Sequence, residues 1–145
     1  MKKQISFTII IILFFFGAAE AIKLNNYVII IPEKASKAEI YCSEFLKRSI
    51  LKTYKINIPI YSDKISSHEK AINIGITKFA IKNNYFQNNI SQLGPEGLLV
   101  ASDQKHILLY GKSPRGQFFA VASFMERELN ILNLEGDKLI IKKKL

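Results

Sequence analysis

Short aliphatic runs alternating with two amphipathic stretches predict an α/β fold of the α+β two-layer sandwich type. The expected architecture is a mixed sheet of about five strands carrying two main helices, mostly on one face. Three observations predict it. Strand-like runs rich in Ile, Val and Leu recur between turn residues. Two longer stretches repeat apolar residues at spacings of three and four. The segment from Gly94 to Glu128 reads as two strands around a polar turn, a tight basic loop and a helix. The element order is β-α-β-β-(short α)-β-β-α.

Taken in order, Tyr27–Ile31 is a continuous aliphatic run ended by Pro32, as expected of a strand covered on both faces or central in a sheet. Pro32-Glu33-Lys34 opens a helix to about Lys52. Its inner stripe is Ala38, Tyr41, Cys42, Phe45, Leu46, Ser49 and Thr53, and Glu39, Ser43, Glu44, Lys47 and Arg48 lie outside. If that helix joins parallel neighbours, the crossover is right-handed. Ile56–Ile60 is a second strand, and Pro59 favours an edge or terminal position for it. Ser62–Glu69 is polar and turn-like, and Ala71–Ile76 is a third strand containing Gly75. Thr77 caps a short helix through Phe79 and Ile81, and the Asn-rich stretch from Lys82 to Leu93 reads as loop with at most a helical turn. Leu98–Ser102 and His106–Tyr110 form a hairpin about Ser102-Asp103-Gln104-Lys105. Ser113 then serves as N-cap and Pro114 as first residue of a helix whose stripe is Phe118, Val121, Ala122, Met125 and Leu129.

Met1–Ala21 has the form of a secretory signal: Lys2 and Lys3, an apolar run over Ile5–Phe16, and a small-x-small end at Ala19-Glu20-Ala21. Cleavage near Ala21 predicts a secreted or periplasmic protein with no stable membrane span afterwards. The only cysteine is Cys42, so a lipoprotein anchor at this end and an internal disulfide are both excluded. The formal net charge is +9, but the lysines are scattered, and only Lys142-Lys143-Lys144 cluster. That distribution predicts no nucleic-acid partner. The remaining chain suits one domain over 22–130 with a short tail over 131–145.

The chemistry-bearing residues are few. Gly111-Lys112-Ser113-Pro114-Arg115-Gly116 lacks the Lys-Ser/Thr that a nucleotide loop needs after its last Gly, and it follows a hairpin instead of the first strand of a βαβ unit. The expectation is structural: Gly111 relaxes the strand end, and Gly116 lets the helix approach the sheet. Glycosidase chemistry needs two carboxylates across a cleft, and spacing forces no pair among Glu96, Asp103, Glu126 and Glu128. Cys42 falls on a helix stripe, where an inert packed thiol is expected, and His68 and His106 sit in surface-like contexts. No His, Cys or acidic group shows metal-ligand spacing, so no metal, cofactor or catalytic residue is assigned. The chain has no tryptophan; Tyr27, Tyr54, Tyr61, Tyr85 and Tyr110 are its aromatic alternatives for stacking sugars.

Several segments nevertheless form a pattern. Ala38-Glu39-Ile40, Phe45-Leu46 and Ile58-Pro59-Ile60 are similar to an "A-x-E-L…Y-L…G-x-x-I-P-I" opening. Ile72 through Ala80 is similar to "I-x-I-G-x-T-K-F-A", and Leu93-Gly94-Pro95-Glu96-Gly97 to "L-G-P-E-G-F". Ile107 through Gly111, with Pro114-Arg115-Gly116, Phe119-Ala120-Val121 and Phe124-Met125-Glu126, is similar to "I-x-I-x-G-x-x-P-R-G-x-x-Y-A-V-x-x-F-L-E". Over about residues 27–130 the chain resembles the N-terminal domain of alpha-glucuronidases and beta-N-acetylhexosaminidases, secreted bacterial glycoside hydrolases. Gly75, Gly94, Pro95, Glu96, Gly97, Gly111, Pro114, Arg115 and Gly116 carry the resemblance as structural motif residues. In that family the domain precedes a (β/α)8 barrel that bears the catalytic acids. Here Asn130-Ile131-Leu132-Asn133-Leu134 stands where a "G-x-R-W/F" run leads into the barrel, and Tyr54 or Lys55 stands where the first helix is followed by Gly.

The resemblance implies a non-catalytic accessory domain, truncated or split from its barrel or a free-standing relic, with the barrel or a polysaccharide as partner. A free-standing carbohydrate- or protein-binding module is the alternative, and a small enzyme the third reading. An exposed apolar face favours the first; an aromatic-lined groove with polar donors favours the second. Leu139–Ile141, flanked by Lys138 and Lys142, reads as a strand in need of a partner, and residues 130–141 as the surface that would find one.

Overall fold

A computed structural model of the chain describes residues 23–64, 68–103, 105–133 and 139–141; the expected signal over 1–21 and the tail lysines lie outside them. Strands β1 (Val28–Ile31), β2 (Ile60–Ser62), β3 (Ala71–Ile74), β4 (Leu98–Ser102) and β5 (His106–Gly111) form one sheet in the order β2-β1-β3-β5-β4. β1 pairs in parallel with β2 and with β3, and β3 in parallel with β5. β4 runs antiparallel to β5 as its hairpin partner. The mixed five-stranded sheet with its helices is the α/β class that the sequence predicts.

The continuous aliphatic runs are inner strands. Every residue of β3 is buried, as are Ile29 and Ile30 of β1. The run containing Pro59 is the edge, but β2 begins only after the proline, at Ile60. Pro59 has no N–H to give a ladder, although its carbonyl still accepts from the Ile29 N–H at 2.9 Å.

Helix α1 (Lys37–Tyr54) starts later than Pro32-Glu33-Lys34 suggests, because its start is set by a reciprocal cap. The Glu39 N–H donates to Ser36 Oγ at 3.2 Å, and the Ser36 N–H donates to the Glu39 carboxylate at 2.6 Å. Helix α4 (Pro114–Arg127) starts as expected, with Ser113 accepting from the Gly116 N–H at 3.0 Å and Pro114 in the first turn. α1 and α4 pack side by side over Ile29, Ile72, Ile74, Ile107 and Leu109. Both stripes are rotated from expectation. In α1, Ser43 and Ile50 are buried and Tyr41 lies outside; in α4, Gln117, Ala120 and Phe124 are buried and Phe118 is half-buried. Ser43 and Ser49 are tolerated against the sheet because each hydroxyl donates to a carbonyl of its own helix, Ile40 and Phe45, at 2.8 Å.

The opposite face is partly covered by α2 (Lys78–Lys82), capped by Thr77 as expected, and α3 (Asn84–Ser91). The Asn-rich stretch read as loop is therefore helical. Asn83 accepts from the Phe86 N–H at 3.2 Å, and fully buried Phe86 packs with Ala80, Ala101 and Leu108. A cap and one buried aromatic outweigh poor helix propensity. Beyond α4, β6 (Ile131–Asn133) and β7 (Leu139–Ile141) pair antiparallel, so the strand expected to lack a partner finds one inside the chain. The expected boundary at residue 130 falls between Leu129 and Ile131, both buried in the main core.

The C-cap of α1 is Lys55, in the left-handed region at φ 60°, where the resemblance would place a glycine. Side chains other than Gly pay roughly 1 kcal/mol or more there. Lys55→Gly is expected to stabilise the fold by about 1 kcal/mol, read as a higher urea midpoint with an unchanged slope.

Candidate functional site

The motif residues Gly94 to Gly97 and Gly111 to Gly116 are brought together; Gly75 stands apart. The Gly97 N–H closes the Gly94 turn at 3.0 Å, and the Gly97 carbonyl accepts from the Lys112 N–H at 3.0 Å. Lys112 Nζ donates to the Leu93 carbonyl at 3.1 Å, and Ser113 Oγ donates to the Glu96 carboxylate at 2.7 Å. The anion at the start of α4 is thus the chain's own Glu96, bonded to the cap residue. Arg115 lies 5.4 Å over the Phe119 ring, and Pro95 occupies the turn. Gly75, at φ 84°, ends β3; a Cβ there would lie 1.9 Å from a Glu39 carboxylate oxygen.

The close helix–sheet approach expected at Gly116 is present there and is tighter still at Gly111. A Cβ on Gly111 would lie 1.9 Å from the Gln117 nitrogen and 2.0 Å from the Gly116 carbonyl carbon, both backbone. On Gly116 the nearest atoms are 3.3–3.4 Å away. Gln117, absent from the apolar stripe that the sequence predicts, holds the junction: its carbonyl oxygen accepts from the Gly111 N–H at 3.1 Å and its amide donates to the Leu109 carbonyl at 3.0 Å. The available signal was a glutamine in helical register with Ala120, Val121 and Phe124.

Two surfaces remain. On the outer face of α1 and α4 the rings of Tyr41, Phe45, Phe118 and Phe119 form a connected chain. Tyr41 stacks on Phe45 at 6.1 Å, Phe45 meets Phe118 at 5.5 Å, and Phe118 meets Phe119 at 6.2 Å. Tyr41 is 55% exposed and Phe119 44%.

On the opposite sheet face, beyond the reach of α3, lies a cavity of about 310 Å³ with Ile30, Ala71, Asn73 and His106 among its lining residues. Asp63, Lys64 and His68, from the eight-residue connection between β2 and β3, are among its walls. Both histidines of the chain, expected at the surface, line it. His106 stacks on Phe79 at 3.8 Å between centroids, and His68 stacks on Tyr61 at 4.8 Å. Burial holds His106 below the ordinary imidazole range; Asp103 opposes that shift and Lys105 adds to it.

The candidate acids have other employment. Asp103 accepts from the Lys105 and His106 N–H groups at 2.8 and 2.6 Å, closing the hairpin. Cys42 is buried, and burial, aided by Glu39, raises its thiol to about 11, which suppresses thiolate chemistry at neutral pH. Among the described residues no group of three His, Cys, Asp or Glu could hold a metal ion, and no helix is long and apolar enough to cross a membrane. Three of the tyrosines that could stack sugars have other contacts: the Tyr54 hydroxyl donates to the Leu129 carbonyl, Tyr110 packs on the second core cluster, and Lys70 lies over Tyr27. Compared with protein-family models the chain matches none, and compared with curated proteins it again matches none.

Gly111→Ala is expected to destabilise the fold by more than about 3 kcal/mol, whereas Gly116→Ala should cost under about 1.5 kcal/mol; paired thermal melts check the ranking. The unfolded chain protonates its histidine before folded His106 does. Stability should therefore fall as pH drops through about 6.5 and level off once the folded imidazole is also charged. His106→Gln should flatten that slope in urea titrations at several pH values.

Proposed function

We propose that this chain is an exported, non-catalytic accessory domain of glycoside-hydrolase type whose helical face docks on a (β/α)8 barrel partner. The observation that carries the reading is the aromatic chain Tyr41–Phe45–Phe118–Phe119 across α1 and α4, half-buried at Phe45 and Phe118 and exposed at Tyr41 and Phe119. Exposed aromatic rings in contact with one another are the composition of an interface centre, and a cation at the edge, here Arg115, is the usual rim. The docking surface in this reading is the helix pair; of the stretch 130–141, Ile131–Asn133 and Leu139–Ile141 pair with each other as β6 and β7.

The non-catalytic part is supported by the roles already taken by the acids. Glu96 serves the cap of α4 and Asp103 the hairpin turn. The family assignment rests on the motif resemblance, whose Gly94–Gly97 and Gly111–Gly116 halves meet in one junction. Export rests on the N-terminal Lys-apolar-Ala pattern. A polysaccharide partner is the alternative reading, favoured by the ring-lined cavity on the other face.

Homogeneous mature chain is expected to hydrolyse no aryl glucuronide and no aryl N-acetylhexosaminide. It should bind a hydrophobic dye and associate weakly at high concentration in sedimentation. Tyr41→Ser with Phe119→Ser should remove most of both signals while changing stability by less than about 1 kcal/mol per site. Turnover abolished by Glu96→Gln or Asp103→Asn would overturn the non-catalytic reading. Dye binding and association unaffected by the double variant would overturn the docking face.

A further inference from the structure

We infer that the cavity on the sheet face opposite α1 and α4 is a binding site for a small organic anion, a single-ring carboxylate or phosphate. The inference is independent of what docks on the helices.

The first argument is donor and acceptor accounting. The cavity wall includes Lys64, Lys78 and Lys82, His68 and His106, and Asp63. Asp63 is already engaged through both oxygens, accepting the Glu33 N–H and the Lys78 N–H at 2.8 Å each. Asn73 and Thr77 are also committed: Asn73 Nδ2 donates to the Ile107 carbonyl at 3.3 Å, Thr77 Oγ1 donates to Asn73 Oδ1 at 3.0 Å, and Thr77 accepts from the Ala80 N–H at 3.3 Å. The groups left over are ammoniums and imidazoles. His68 Nε2 and His106 Nδ1 are buried without a hydrogen-bond partner. Each is a ring nitrogen that can carry a proton, and a buried N–H there is costly until a ligand oxygen accepts from it. A cavity whose uncommitted polar groups donate recognises an acceptor-rich, negatively charged group.

The second argument is charge. Glu33 pairs with Lys64 at 3.6 Å and with Lys78 at 3.7 Å, but these side chains are largely exposed and such pairs are weak enough to be exchanged for a ligand's charge. Lys82 has no ion pair among the described residues. The third argument is shape. Ile30, Ala71 and the Phe79–His106 stack offer apolar surface to the body of a ligand, and a volume of about 310 Å³ suits one ring and its charged substituent.

The chain's two histidines make the test direct, because their C2–H signals in proton NMR report this cavity and nothing else. Benzoate, phenyl phosphate, inorganic phosphate and uncharged benzyl alcohol are titrated at low salt against the mature chain and against Lys82→Glu. The expected result is saturable movement of both signals by benzoate or phenyl phosphate with a Kd near about 1 mM. Benzyl alcohol should move neither, and Lys82→Glu should weaken binding at least about fivefold with an unchanged melting temperature. Preference for benzoate marks a carboxylate ligand, and preference for phenyl phosphate a phosphate ester; either supports the site. Absence of saturable movement, equal response to benzyl alcohol, equal affinity in Lys82→Glu, or inorganic phosphate binding as well as phenyl phosphate would overturn it.

Discussion

The backbone of α4 touches the end of β5 at Gly111, and most of the architecture follows from that contact. A Cβ on Gly111 would overlap the Gln117 and Gly116 backbone, so the helix can sit this low on the sheet only over a glycine. The approach brings Gln117 within reach of two β5 backbone groups, the Gly111 N–H and the Leu109 carbonyl, and its amide satisfies both. A buried glutamine is costly when unpaired and specific when paired, so this residue sets the register of helix on strand. With α4 so placed, Ala120, Val121, Phe124 and Met125 reach the core formed with Ile107 and Leu109, and α1 can lie beside α4.

The connections around the junction are held by short-range polar contacts. Glu96 reaches Ser113 and Lys112 reaches the Leu93 carbonyl, so the turn before β4 is tied to the loop after β5 across the hairpin. Asp63 does the same work at the other edge, joining the segment after β2 to the segment after β1 and to the start of α2. Each tie satisfies backbone N–H groups or a cap that would otherwise lack partners at an element end. The energies of such ties are modest individually, near about 1 kcal/mol each; their effect is to choose one arrangement of loops.

The two faces of the sheet are unequal for a topological reason. The β1–β2 connection is long enough to carry α1, so that face acquires a complete helical layer with α4. The β2–β3 connection is only eight residues long, and α2 and α3 cover only the part near β4 and β5. The complete layer leaves exposed rings on its outer side, Tyr41 and Phe119, whereas the incomplete layer leaves a lined cavity. One sheet therefore presents two chemically different surfaces, one aromatic and one rich in donors and cations.

Local signals in the chain determined the class of fold and most of its elements. Continuous Ile runs marked β1 and β3, Pro59 marked an edge strand, Thr77 and Ser113 marked helix starts, and the polar turn before His106 marked the hairpin. These signals are readable because caps, prolines and periodicity act within a few residues. Tertiary structure decided the rest. α3 exists because Phe86 finds a pocket between Ala80 and Leu108, a benefit that its Asn-rich neighbours do not announce. The rotation of both main stripes follows from how far the helices sink onto the sheet, which Gly111 and Gln117 govern from distant elements. His68 and His106, separated by two strands and two helices in sequence, line one cavity only because β3 and β5 are neighbours; no local pattern carries that adjacency.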